Sequence, residues 1–366
     1  MATTTISRDT AATFAPMSAR RILIFGGIAL IAGGLLFGDI FAVFVLHQNG
    51  GRTGETLLAA AQAAAAQDSA GVRDAFTRIG GLLEDRGTKV DAHVHMTDAG
   101  YLALLLALLQ PYVALPSQRR KRLAKLFVAG GSLFPLGIFL IHYVGLAYSP
   151  SAVIGWASVL ADSAGAVLIL VLLVEGWGFW RYLRGARSDS AEPELPRDTS
   201  WERRALLSGG TFLMLLGFLY GAWYAATDLY PHEQREISVL QTLASDAATK
   251  DPAKMTASVN AFGLLSAERA VSIAAHSHII EFGLLAILLA FVQPYVFLGA
   301  AWKRRWVQVL LTGSIVLPLF VLLELKFGLV AGGIADVGGL LVLTALIGML
   351  VGVLRYSGSL DAGGAQ

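Results

Sequence analysis

The sequence predicts an all-α integral membrane protein of eight transmembrane helices, arranged as two tandem parallel four-helix repeats. Each repeat carries an extracytoplasmic helical hairpin between its first and second helices. Three observations carry this prediction. The chain of 366 residues is 55% hydrophobic with a mean hydropathy of +0.62, too apolar for a water-soluble fold. Eight apolar runs, near residues 22–46, 93–115, 123–147, 152–180, 205–229, 276–299, 307–330 and 333–354, reach or approach the length that crosses a bilayer. The second half of the chain also repeats the first at a constant displacement of 183 residues.

Long apolar runs read as helices because a backbone in lipid must satisfy its polar groups within its own segment. The first run follows Arg20-Arg21 and is longer than a signal-peptide core, so it is expected to stay as the first helix. Basic clusters at Arg20-Arg21, Arg119-Arg120-Lys121-Arg122, Arg181 to Arg204 and Lys303-Arg304-Arg305 alternate with acidic or mixed loops. Basic loops stay in the cytoplasm, which puts both termini there and the two long loops outside, as expected in a bacterial inner membrane. Trp302, Trp306, Tyr112 and Tyr295 are then expected at the cytoplasmic boundary, as an aromatic belt. Glu175, with Trp177 and Trp180, is read into the same zone.

The repeat is clearest at Ala92-His93-Val94-His95-Met96-Thr97-Asp98-Ala99-Gly100, which recurs as Ala275-His276-Ser277-His278-Ile279-Ile280-Glu281-Phe282-Gly283. Both stretches run on to Gln-Pro-Tyr-Val, at Gln110 and at Gln293. Gly34 and Gly38 meet Gly217 and Gly221, Asp68 meets Asp251, and Pro135 meets Pro318. Nine residues are then missing from the second copy, so Asp162 meets Asp336 at a displacement of 174. The expected units are 20–187 and 201–358, with a tail at 1–19, a linker at 188–200 and a tail at 359–366. An even number of crossings per unit implies a pseudo-two-fold axis along the membrane normal. The glycine pairs spaced by four read as a packing device with no functional content.

In the first outer loop, Val72, Phe76, Ile79, Leu83 and Val90 recur at helical spacing, matched in the second by Met255, Val259, Phe262 and Ile273. Asp251-Pro252 marks a helix start. Long helices are expected over about 70–113 and 253–296, their outer halves burying their own apolar stripe.

No cysteine is present, so disulfides and thiolate chemistry are excluded. The net charge of +2 gives no nucleic-acid surface. No phosphate loop, dinucleotide fingerprint, zinc-protease helix or nucleophile elbow occurs. What remains is a repeated pair of histidines and a carboxylate at the mouth of a membrane helix. Residues two apart on a helix point about 200° from each other, so His93 and His95 cannot both face one ion. His95 with Asp98, and His278 with Glu281, can share a face. One histidine of each pair is expected to face its own bundle, and the other the sister unit or solvent. Asp162 and Asp336 open the fourth helices, where capping is the plainer role and metal ligation the sharper one. Asp39, His142, Glu324 and Lys326 are unrepeated polar groups in the outer parts of their helices, and Lys326 is expected to pair with Asp336.

The string Ala-His-x-His-x-x-x-x-Gly opening an apolar helix resembles the second helix of heme-copper oxidase subunit I and its small four-helix relatives. The resemblance covers residues 92–113 and 275–296. It implies that His93 or His95, and His276 or His278, act as axial ligands to a low-spin heme. The chain lacks that family's adjacent histidine pair and His-x-x-x-Tyr, and has eight crossings rather than twelve, so oxygen reduction is not implied. The leading expectation is a membrane redox protein binding heme b through His93, His95, His276, His278 or His142. Its expected redox partner is a quinone or a respiratory-chain protein, and a heme with one protein ligand would instead bind gas. The first rival is a copper or zinc site built with Asp98, Glu281, Asp162, Asp336 and Glu324. The second is a transporter or assembly subunit with no cofactor.

Overall fold

The computed structural model describes residues 18–144, 156–186, 200–224, 227–228 and 230–355. The linker and both tails expected from the sequence lie outside them, apart from Ser18, Ala19 and Ser200 at their edges. Among the described residues there are ten α-helices and no strand. They are α1 (Ala19–Phe41), α2 (His47–Ala65), α3 (Ser69–Leu109), α4 (Ser117–Val144), α5 (Trp156–Leu183), α6 (Trp201–Tyr224), α7 (Tyr230–Thr249), α8 (Pro252–Val292), α9 (Ala300–Phe327) and α10 (Leu329–Leu354). All but α2 and α7 are long and apolar enough to cross a membrane, so the chain is a multi-pass membrane protein.

α3 and α8 are the axial elements, each 41 residues long. At 1.5 Å per residue that is about 60 Å, twice the hydrocarbon thickness. Their second halves cross among α1, α4, α6 and α9, and their first halves project beyond, with α2 packed on α3 and α7 on α8. The two turns feeding them are alike. Gln67 (φ 60°) and Lys250 (φ 58°), 183 residues apart, are the two non-glycine residues in left-handed backbone among the described residues. Gln67 and Asp68 donate to the carbonyls of Ala64 and Ala63, and Lys250 and Asp251 to those of Ala247 and Asp246. That closes the preceding helix in a Schellman turn. Asp68 and Asp251 then cap α3 and α8 by accepting from two backbone amides each. The amides of Lys254 and Ala253 hold the Asp251 carboxyl below its ordinary range.

The stripe expected to bury itself does so in part in α8 and stays largely uncovered in α3. Phe76, Leu83 and Val90 are exposed, whereas Met255 and Val259 are buried against Ala61, Leu243 and Ala247, in a small core shared by α2, α7 and α8. Polar contacts hold the rest. Asn49 donates to Asp85 at 2.9 Å, Lys89 pairs with Asp85, and its ammonium lies 5.3 Å from the Tyr143 ring. In α7, His232 is buried with Nε2 2.9 Å from the Leu265 carbonyl, beside an Arg269–Glu236 ion pair at 3.0 Å.

At the opposite, basic end the chain turns through Gln110–Tyr112 and Gln293–Tyr295. Arg120 donates to the Gln110 carbonyl at 3.0 Å, and Lys303 to the Gln293 carbonyl at 3.3 Å. A cation thus meets the negative end of each long helix. Two residues assigned to an aromatic belt lie inside instead. Tyr295 is buried beneath Arg20, which donates to its hydroxyl. Glu175 is buried and accepts from Gln110 Nε2 at 3.2 Å, within electrostatic range of buried Arg120. The belt reading failed because Glu175 lies on the face of α5 turned to the Gln-Pro-Tyr turn, while Trp177 and Trp180 face outward.

The contacts of the two halves also depart from a two-fold. α10 packs on both α9 and α1, but among the described residues α5 packs on α4 and makes no comparable contact with α6. α5 is therefore held from one side, and the Glu175–Gln110 bond reinforces that joint. α10, held from two sides, has Met349 in the matching place, and Lys303 where Arg120 stands.

Two outcomes follow from these joints. Lys250→Gly should raise stability by about 0.5–1 kcal/mol, as a higher thermal midpoint in detergent, because glycine relieves the left-handed strain, while Lys250→Ala should give no gain. Glu175→Met should cost about 2 kcal/mol by leaving the buried Gln110 amide without its acceptor and buried Arg120 without a facing carboxylate, and adding Arg120→Lys should recover part of it in the same melt.

Candidate functional site

The paired histidines reach their places because α1 and α6 lie unusually close to α3 and α8. A Cβ at Gly27 would stand 2.9 Å from the Gly100 carbonyl oxygen, and one at Gly210 would stand 2.6 Å from that of Gly283. Only glycine permits such an approach, and it lets an imidazole on the long helix touch the backbone of its neighbour. His93 Nδ1 lies 2.7 Å from the Gly34 carbonyl, and His276 Nδ1 lies 3.1 Å from the Gly217 carbonyl. A carbonyl only accepts, so Nδ1 carries the proton and Nε2 keeps its lone pair. No described residue takes up either Nε2. The ring of His93 sits on Gly38, where a Cβ would stand 2.6 Å from its atoms, and the ring of His276 sits likewise on Gly221.

The glycines spaced by four are thus the sockets of the histidines. Reading them as plain packing missed this, and the constant 59-residue separation of each glycine from its histidine was the available signal.

The second histidine of each pair behaves differently in the two halves. His95 packs against Phe134 of α4, ring centroids 4.9 Å apart. Both histidines of α3 therefore face their own unit, contrary to the expected division, because α3 has α1 on one side and α4 on the other. His278 stacks on Phe282 at 5.7 Å. Its Nδ1 is 3.9 Å from Glu281, too far for a hydrogen bond, and has no partner. The face shared by His278 and Glu281 is as expected, and His95 is electrostatically coupled to Asp98.

α3 packs on α8, and His93, Asp98 and Tyr101 on one side interact electrostatically with His278 and Glu281 on the other. Tyr101 is buried with its hydroxyl unpartnered. It was passed over because the repeat places Leu284 in the matching position.

The remaining carboxylates are scattered. Asp162 is exposed within α5, and Asp336 lies well inside α10, whose N-cap is Gly328, so Asp336 does not cap that helix. Asp162 is likewise more than a turn inside the described helix. Glu324 lies over Gly332 of α10. Lys326 stands 5.6 Å from the Phe327 ring, and no ion pair with Asp336 occurs among the described residues. Asp39 packs against Gly339 of α10 and is electrostatically coupled to Asp336. Among the described residues no three of histidine, aspartate and glutamate converge to hold a metal ion. The side chain of His142 lies outside the described set.

No family model matches this chain, and no curated protein or solved structure is similar enough to lend it a fold family or an activity.

Gly38→Ala and Gly221→Ala should each drive a Cβ into the imidazole seated there and cost about 1–3 kcal/mol. Gly263→Ala, with open space around it, should be neutral or stabilising in the same thermal melt.

Proposed function

We infer that this chain is a redox protein of a bacterial inner membrane that holds b-type heme through imidazoles of α3 and α8. In this reading the chain is two tandem parallel four-helix units. The paired helices α2 with α3 and α7 with α8 project outside, and both termini lie in the cytoplasm. One observation carries it: His93 and His276, at matching positions, each give their Nδ1 proton to a backbone carbonyl and keep Nε2 free. A metal-ligating histidine is ordinarily held this way, since the carbonyl fixes the ring and raises its basicity. The partial likeness of residues 92–113 and 275–296 to the heme-bearing helix of heme-copper oxidases points in the same direction.

The donor set suits heme better than copper or zinc. Heme iron needs only one or two axial imidazoles, the porphyrin supplying the rest, whereas a structural or catalytic zinc takes three or four protein ligands that converge. His93 and His276 are the residues that would hold it, with His95, His278 and His142 completing the candidate set. If imidazoles of this chain held it from both sides, heme would supply single-electron transfer rather than gas binding. The protein's part is then to orient the rings through Gly34 and Gly217 and to seat them on Gly38 and Gly221. Phe134 and Phe282 surround the second imidazoles with apolar surface. A quinone in the bilayer, or a respiratory-chain protein at the membrane surface, is the partner this assigns.

The absorption spectrum of purified protein, with metal analysis, tests the reading. A Soret band and iron are expected, and the double variant His93→Ala with His276→Ala should lose most of both, while His232→Ala keeps them. A colourless protein carrying copper or zinc would replace this reading with the metal-site one. A colourless, metal-free protein would leave the histidines as packing groups of a transporter or assembly subunit.

A further inference from the structure

The matching of residues between the two units, independent of any cofactor, exposes a face that is covered once and open once. Within the chain, α10 seats on a stripe of α1. Asp39 lies against Gly339 at one end, and Arg21 donates to the Leu354 carbonyl at 3.2 Å at the other, so the two helices run antiparallel in register. Between these points Ile28 is 0% exposed and Ala32 is 8% exposed, with Leu343 of α10 at 8%.

Among the described residues no helix packs on the corresponding face of α6 as α10 does on α1. Arg204, Ser208 and Thr211, which match Arg21, Phe25 and Ile28, are exposed, and Leu215, which matches Ala32, is 57% exposed. On α5 the residue matching Leu343 is Ile169, 60% exposed. Apolar exposure alone says nothing in a membrane protein, because lipid covers it at no cost. The α6 stripe is different. Arg204, Ser208 and Thr211 fall at spacings of four and three, on one side of a membrane helix. Ser208 donates to the Arg204 carbonyl at 2.8 Å within α6 and Arg204 stands at the basic end of the helix, but serine and threonine together on one side of a membrane helix are enriched where another helix packs.

We propose that two copies of this chain associate in the membrane with α5 of each seated on α6 of the other, repeating between chains the contact that α10 makes with α1 within one. Arg204 would then reach the last carbonyls of the partner's α5, as Arg21 reaches Leu354. Ile169 would pack beside Leu215. Each copy offers one α5 and one α6, so a two-fold arrangement of two copies would satisfy both faces.

The absence of native cysteine makes the test direct. Chains carrying Ile169→Cys under one tag and Leu215→Cys under another are co-expressed and treated with a short thiol cross-linker in native membranes. Both positions are exposed, so the substitutions leave the fold alone, which a single symmetric elution peak verifies. The expected result is a product containing both tags, well above either homotypic product, together with a dimer mass in lipid nanodiscs. A monomer mass, or cross-links only between like positions, overturns the proposal and leaves lipid as the occupant of both faces.

Discussion

The close approach of α1 to α3, and of α6 to α8, is the constraint on which the rest of this structure depends. Where Gly27 faces Gly100, and Gly210 faces Gly283, the backbones come near enough for a side chain on one helix to bond the main chain of the other. Lipid gives helices no hydrophobic reason to associate, so intimate backbone contact and polar bonds across it must hold the bundle. The imidazoles of His93 and His276 belong to that joint: they supply the polar bond, and the same bond sets which ring nitrogen remains available.

Against this shared device the two halves of the chain differ. The first holds its outermost helix with a buried carboxylate, Glu175, while the second has Met349 there and a second helix packed on α10. The seam between α3 and α8 is unequal too, with buried Tyr101 set on one side only. The joints at the glycine sockets and the capped turns, by contrast, are alike in the two halves.

Much of this was legible in the sequence because the relevant physics is local. Eight helices of membrane-crossing length follow from apolar run length, and the start of α8 follows from Asp251-Pro252. The long uninterrupted α3 and α8 follow from the lack of a breaker before each His-x-His. What failed depended on third parties. Whether Phe76 and Leu83 are covered depends on where α2 and α7 lie, and whether Glu175 faces inward depends on the turn at Gln110. Both are facts about neighbours far along the chain. The glycine sockets fall between these cases: their spacing was visible, but what filled them required knowing that His93 lies level with Gly34 and Gly38.

The unbroken length of α3 and α8 has a mechanical side. Each is one rod, fixed near its middle where its own histidine donates to a carbonyl of the neighbouring helix and clamped at its basic end by Arg120 or Lys303. Whereas α3 carries Gly80-Gly81 in its projecting half, α8 has no interior proline or glycine pair there, and a load that tilts it finds no hinge. It must be delivered along the rod to the pivot where the imidazole sits. Anything that pushes on the projecting half of α8 therefore pushes on the His276 ring.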